Sequence, residues 1–476
     1  MKFEPVIGLE IHAQLATNSK MFCSCANEMA KKPNENVCPV CLGLPGALPR
    51  INARAVDFAI ALGLATHSRI RQDSVFSRKH YFYPDLPKAY QISQFDKPVC
   101  EGGWVEIDTE QGKKRIGITR IHMEEDAGKL VHEGQDPSSS YVDFNRAGVP
   151  LLEIVSEAEL RTAEEAKAYM EKIYTLVTAL KICRGDMEKG NLRCDANISI
   201  RPLGSNLMNT RTETKNLNSF RFVKQAIESE IARQIDLVLD GKEVVQETRL
   251  FDSVQKKTYS MRKKEDAHDY RYFDCPDLPV VEFSKEKIEQ IRAHLPELPE
   301  DKKQRFIQNH QLSDYDAGLL SENSGFADFF EQTVQLGADP KKTANWLLGE
   351  LSKLLNDQDA QQIKESFQPQ QLKDLIDLVQ DGTISNKIAK ELFVEVYNQG
   401  VSPKELIAKK GLEQISDERQ LRALCEELVL KHPAEVQEFK KGKDKVLGFF
   451  VGQMMAKTKG KANPKILNQI LLELMR

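Results

Sequence analysis

No stretch of this 476-residue chain is apolar over the roughly 18 residues that a membrane-spanning helix requires, and mean hydropathy is -0.46. The opening MKFEPVIGLEIH carries acidic residues where a secretory leader needs an unbroken apolar stretch. Both absences point to a cytoplasmic enzyme or a component of a complex. No Gly-Lys pair is followed by Ser or Thr, which excludes a P-loop. A Gly/Ser-rich amidase nucleophile loop is missing too: Ser138-Ser139-Ser140 runs into Tyr141 without glycines, so nothing here looks able to hydrolyse an amide by itself. There are no low-complexity tracts and no obvious repeats. Length favours two or three domains, and 41% hydrophobic content is enough for their cores.

Cysteines are few and mostly scattered, with one exception. Cys23-Ser24-Cys25 and Cys38-Pro39-Val40-Cys41 are separated by twelve residues, and Pro39 stiffens the turn between the second pair. Two cysteine pairs closing on a tetrahedral ion is what a zinc site needs. Four thiolates leave no open position for substrate, so the expected Zn2+ is structural, held by Cys23, Cys25, Cys38 and Cys41. Disulfides fit poorly, because the other five cysteines are dispersed and no leader precedes them.

A net charge of -4 gives no overall preference for nucleic acid, but the distribution does. From Lys431 to Arg476 there are ten Lys/Arg against four Asp/Glu, clustered as KKGKDK and KTKGKANPK. Lysines separated by glycine suit phosphate contacts that position a polyanion without reading its bases. Lys440, Lys441, Lys443, Lys457, Lys459 and Lys461 are the candidates.

The pattern along the chain is α+β. About the first 290 residues read as short alternating strands with a few amphipathic helices. Thr162-Ala163-Glu164-Glu165 resembles a capping box ahead of a helical stripe, and a second long helix is expected near Ser219–Leu239. LPELPED, at Leu295–Asp301, is a break, after which helices dominate. Asp339-Pro340, Ser385 with Gly400, and Asn463-Pro464 mark helix ends there. The boundaries read as 1–294, with the zinc loop at 23–41, then 295–403 and 404–476.

Three strands carry chemically capable residues opposite an apolar face. In VIGLEIHAQL, Ile7, Leu9, Ile11, Ala13 and Leu15 alternate with Gly8, Glu10, His12 and Gln14, so Glu10 and His12 project together. RCDANISIR places Arg193, Asp195 and Asn197 on one side, and RTETK does so for Arg211, Glu213 and Lys215. A wet face of an antiparallel sheet would account for any one of these. Together, carboxylate, imidazole, amide and cation suit a Mg-nucleotide site, with hard oxygens for the metal and cations for phosphate. Glu124-Glu125-Asp126, before a Gly-Lys turn, joins that site only if its strand converges with the others.

Those segments, with RKHYFYPDLPKAYQISQFDKP, RIGITRIHMEEDAGK, DFNRAGVPLLEIVSE, TKNLNSF and DYRYF, resemble the GatB/GatE family, which includes the ATP-using component of heterotrimeric aspartyl/glutamyl-tRNA amidotransferases. GFFVGQMMAKTKGKANP and ISNKIAKELF belong to the same pattern, so the resemblance runs nearly end to end. It implies a β-rich cradle, a helical domain and a small all-α tail that grips tRNA. It also implies a reaction. ATP and Mg2+ phosphorylate the side-chain carboxylate of misacylated Glu-tRNA(Gln) or Asp-tRNA(Asn). Ammonia, released from glutamine by a partner amidase (GatA-type) that assembles with a small third component (GatC-type), then displaces phosphate. Carried onto matching positions, Glu10, His12 and Glu125 are the expected catalytic core. Glu124, Asp195 and Glu213 follow, with Lys215 or Arg193 on phosphate. Some family members lack the zinc loop, so it cannot be required for the chemistry. The competing expectation is a non-catalytic, zinc-stabilised RNA-binding scaffold.

Overall fold

The computed structural model describes every residue except 1, 29, 132–138, 264–269, 358–362, 413–417, 441–442, 444, 459–461, 463 and 476. It divides into two compact units, Met1–Leu298 and Pro299–Arg476.

In the first unit the period-two pattern of VIGLEIHAQL becomes β1 (Phe3–Gln14), whose Ile7, Leu9, Ile11 and Ala13 are at most 1% exposed. Each large side chain so buried contributes roughly 1.5–3 kcal/mol, which fixes the register of β1 against a slip. β1 lies inside a ten-stranded sheet, among β2 (Gly112–Glu125), β3 (Pro150–Ser156), β4 (Leu192–Pro202) and β5 (Thr212–Lys215), in the order β5-β4-β1-β3-β2. All four of these pairings are antiparallel. One side of the sheet is closed by α1 (Ala53–Ala65), α2 (Ala163–Ala179) and α3 (Phe220–Leu239), which share its apolar core. The other side keeps the polar residues.

Thr162 caps α2 by accepting from the Glu165 backbone N–H at 3.0 Å. The reciprocal half of the expected capping box is displaced, because the Glu165 carboxylate accepts from the N–H of Arg161 at 2.7 Å. Ser219 caps α3 in the same way.

The second unit is helical, with two separate apolar cores: one gathers Phe306 through Ile407, the other Leu421 through Met475. Asp339 caps the helix that Pro340 opens, and Gly400, at φ 65°, stops the helix begun at Ser385. The leucine stripe after Pro340 departs from a regular α-helix. Trp346–Leu351 widens into a π-helical turn that buries Leu347 and Leu351 completely. No described helix is long and apolar enough to cross a membrane.

Candidate functional site

Strand pairing builds a polar row across four strands. His12 of β1 stands opposite Arg193 of β4 on one side and Glu153 of β3 on the other, and Glu153 stands opposite His122 of β2. Two residues along β2, Glu124 returns to the same face. His12 Nε2 is 3.2 Å from Glu153 and 3.6 Å from Glu124, while His122 Nε2 lies 3.4 Å and 3.8 Å from the same carboxylates. One ligand atom each from His12, Glu124 and Glu153 falls within 4.8 Å of the others, a donor set suited to a hard divalent cation.

Charge inside this cluster is strongly coupled. Burial alone would drive His12 toward neutrality, but the hydrogen bond and charge of Glu153, with the charge of Glu124, lift its pKa to about 9. Burial pushes Glu153 up, and His122 and His12 together hold it well below the usual carboxylate range. A cation bound there would replace the proton on His12.

The cluster lines a cavity of about 520 Å3 that also takes in Lys79, Tyr81, Asp126, Arg146, Arg193 and Lys215. Arg193 donates to Asp126 at 2.8 Å, and Gln14 donates to the same oxygen at 3.0 Å. Burial opposes the Asp126 charge, yet Arg193 and Arg146 outweigh it and lower its pKa.

Glu10, Asp195, Glu213 and Lys215 form a neighbouring set. Lys215 bridges Asp195 at 2.5 Å and Glu213 at 3.0 Å, and Glu10 accepts from Asn197 at 2.8 Å. Burial, then the like charge of Glu153, raises the Glu10 pKa. The set shares the polar face, but Glu10 is not among the three residues close enough to hold one ion.

Glu125 requires correction. Expected beside Glu10 and His12, it points to the opposite side of β2 with Ile121 and Met123, 3% exposed. There it pairs with Lys88 and accepts from the Ile92 N–H at 3.1 Å. The physical cause is alternation: of two adjacent carboxylates on a strand, only one can face the cavity, and here it is Glu124.

Sequence reasoning missed Glu153 and Lys79, and it reached His122 and Asp126 only as flanks of Glu124-Glu125. The available signal for Glu153 was a lone carboxylate within the apolar run LLEIV. A charge kept where a strand is otherwise apolar needs a partner.

The four cysteines Cys23, Cys25, Cys38 and Cys41 converge, with all sulfurs within 4.8 Å of one another. The Cys38 N–H donates to the Cys41 sulfur at 3.1 Å, and the ammonium of fully buried Lys20 approaches that sulfur at 3.7 Å. Hydrogen bonding from Cys23 is the largest influence lowering the Cys41 pKa. Four sulfurs with a compensating ammonium fit a thiolate-bound metal. The loop is tied to the site by Met21 N–H, which donates to the Gly148 carbonyl just ahead of β3. Gly148 sits at φ +85°, and a Cβ there would lie 3.3 Å from that of Cys41.

Of the basic tail, Lys440, Lys443 and Lys457 are exposed, while Lys441, Lys459 and Lys461 lie outside the described residues. Lys443 pairs with Glu438 and Lys457 with Glu427, at 2.8 and 2.6 Å. Such surface pairs are worth about 0–1 kcal/mol and do not commit the lysines.

Comparison with known proteins covers nearly the whole chain. Residues 5–289 match the family model described as the GatB/GatE catalytic domain, and residues 328–475 match the one described as the GatB domain. The aspartyl/glutamyl-tRNA(Asn/Gln) amidotransferase GatB protein of Persephonella marina is 51% identical over 477 residues, covering 100% of both chains. The corresponding amidotransferase proteins of Geobacter sp. (strain M21) and Desulfotalea psychrophila are each 52% identical, with 99% of this chain covered and 99% and 98% of theirs.

Proposed function

The chain belongs to the GatB/GatE family, and from that premise we propose how its own residues serve the reaction. It is the GatB component of an aspartyl/glutamyl-tRNA(Asn/Gln) amidotransferase, a ligase of translation that amidates the amino acid on misacylated tRNA. The site chemistry we infer is ATP-dependent. One side-chain carboxylate oxygen of Glu-tRNA(Gln) or Asp-tRNA(Asn) bonds to the γ-phosphorus. The bond to the β–γ bridging oxygen breaks, and its electron pair leaves on ADP. Ammonia then attacks the carbonyl carbon of the acyl phosphate, phosphate departs, and the nitrogen loses a proton.

The observation that carries this reading is the convergence of His12, Glu124 and Glu153 in a cavity that also holds cations. These three residues would hold Mg2+, which when bound would neutralise phosphate oxygens. The substrate carboxylate is already ionised at neutral pH, so no base is needed. The protein's task is placement and charge compensation. Arg193 and Lys215 border the space where phosphates would lie. Asp126 holds Arg193, while Asp195 and Glu213 hold Lys215. Glu125, paired with Lys88 behind β2, would act by supporting that strand.

We further propose that Cys23, Cys25, Cys38 and Cys41 hold Zn2+, which locks the 23–41 loop against the segment leading into β3. A GatA-type amidase and a small GatC-type protein complete a cytoplasmic heterotrimer, since this chain carries no amidase loop of its own. The three apolar cores are taken as the cradle, helical and tail domains, the last with Lys440, Lys443 and Lys457 on tRNA phosphates. A non-catalytic scaffold is disfavoured because it has no use for coupled imidazole and carboxylates beside a cavity.

The test is ADP formation by the reconstituted complex with ATP, Mg2+ and each charged tRNA. Turnover that requires Glu-tRNA(Gln) or Asp-tRNA(Asn) supports the reading, and a complex that forms no ADP with either removes it.

A further inference from the structure

The cations around the cavity differ in what their donors already do. Arg193 is held by Asp126 at 2.8 Å, and Lys215 by Asp195 and Glu213. Arg146 donates to the carbonyls of Ala127 and Gly128, at 3.1 and 2.6 Å. Lys79 is different. It enters the cavity from the strand Ser77–His80, and rings hold it: its Nζ lies 4.8 Å from the Tyr270 centroid and 5.9 Å from that of Tyr81. Among the described residues no carboxylate forms an ion pair with it. A ring face attracts an ammonium through its quadrupole, which leaves the three N–H donors free for oxygen acceptors.

Burial disfavours the Lys79 charge, but the field of Tyr272, then of Glu124 and Glu153, outweighs it and raises its pKa. Lys79 is therefore a stable ammonium with unspent donors, facing the cluster that would hold the metal. Surface lysines of that kind are ordinary. One partly buried, collared by tyrosines and aimed into a polar cavity is placed for an anion.

We propose that Lys79 is a catalytic residue of phosphoryl transfer, its ammonium binding the non-bridging oxygens of the group that passes from ATP to the substrate carboxylate, with Tyr81 and Tyr270 as its collar. This presupposes the ATP-dependent phosphorylation proposed for the chain. Phosphoryl oxygens are the better ligand on chemical grounds. An ammonium clamped on the attacking carboxylate would draw charge from the nucleophile and slow the attack. On the transferring group it offsets charge spread over three equatorial oxygens. Lys79 stays protonated throughout, so the step balances without it: one P–O bond forms, one breaks, and no proton moves.

The experiment measures ADP formation by the reconstituted complex with Glu-tRNA(Gln). For Lys79→Met the expected result is a kcat lower by roughly 100-fold or more, with the KM for Glu-tRNA within about threefold. Lys79→Arg should recover about tenfold of the loss, because a guanidinium also donates to phosphate. A second readout does not depend on turnover: ADP with aluminium fluoride should bind Lys79→Met more weakly by about tenfold, with ADP alone unchanged. If Lys79→Met does not fold, Lys79→Gln carries the same comparison. ADP formation within about threefold of wild type, unchanged aluminium fluoride binding, or a raised KM for Glu-tRNA at full kcat would overturn the proposal. Silence of the wild-type complex itself would instead strike the ATP-dependent reading beneath it.

Discussion

Glu153 stands directly across the sheet from His12, with a carboxylate oxygen 3.2 Å from Nε2. That pair joins two strands contributed by distant parts of the chain and sets the charge of the proposed metal site before any cation arrives. Each half stabilises the ionised form of the other, so the protein without metal keeps a protonated histidine where a divalent ion would bind.

The pH dependence follows from this pair. His12 has a folded pKa of about 9, above its ordinary 6.5. Its contribution to stability is therefore complete below pH 6.5 and lost as the pH rises through about 9. In chelator, Tm should fall across that window, and His12→Asn should flatten the fall. Mg2+ competes with the same proton, so its apparent affinity should climb as the pH rises through the window. Calorimetry with and without Mg2+ measures both, and a His12→Asn profile that retains the full slope would assign the titration elsewhere.

Much of this site was legible in the sequence because strand alternation is local. VIGLEIHAQL alternates so strictly that Glu10 and His12 could only share a face, and β1 keeps that arrangement. Glu124 and Glu125 could not be separated in the same way. Which of the two faces the cavity depends on the parity of β2, and β2 has a register shift where Ile118 and Arg120 oppose Ser156 and Val155. One extra residue reverses every later side chain. Glu153 was hidden for a different reason: LLEIV reads as a buried strand, and nothing local says that its carboxylate meets two histidines from other strands. The π-helical turn at Trp346–Leu351 is equally invisible, since its leucine spacing also fits an α-helix.

The cysteine loop should act on stability and leave the chemistry in place. Elemental analysis should find one tightly held zinc per chain, and Cys41→Ser should lose it with roughly 3 kcal/mol of stability. Because Met21 donates to Gly148 ahead of β3, the released loop should also loosen hydrogen-exchange protection through residues 145–150. A zinc-free variant with unaltered Tm and exchange would leave the loop without the anchoring role given to it.

The tail should contribute affinity that salt removes. Each phosphate contact adds about 0.7–0.9 to the slope of log K against log salt. Replacing Lys440, Lys443 and Lys457 with alanine should weaken tRNA binding and reduce that slope by roughly 2–3. The fold of residues 1–298 should be untouched. Filter binding across a salt series decides it: an unchanged slope would mean that these lysines face solvent alone.

The account rests most heavily on His12, Glu124 and Glu153 holding one divalent cation for phosphoryl transfer. Its most direct test is the Mg2+ dependence of ADP formation by the reconstituted complex carrying Glu153→Gln, with Glu-tRNA(Gln) present. Removing one metal-binding charge should cost about 3 kcal/mol of transition-state stabilisation, or roughly 100-fold in rate. The Mg2+ concentration at half-maximal rate should rise by about tenfold or more at the same time. A Glu153→Gln complex with wild-type turnover and wild-type Mg2+ dependence would contradict the account.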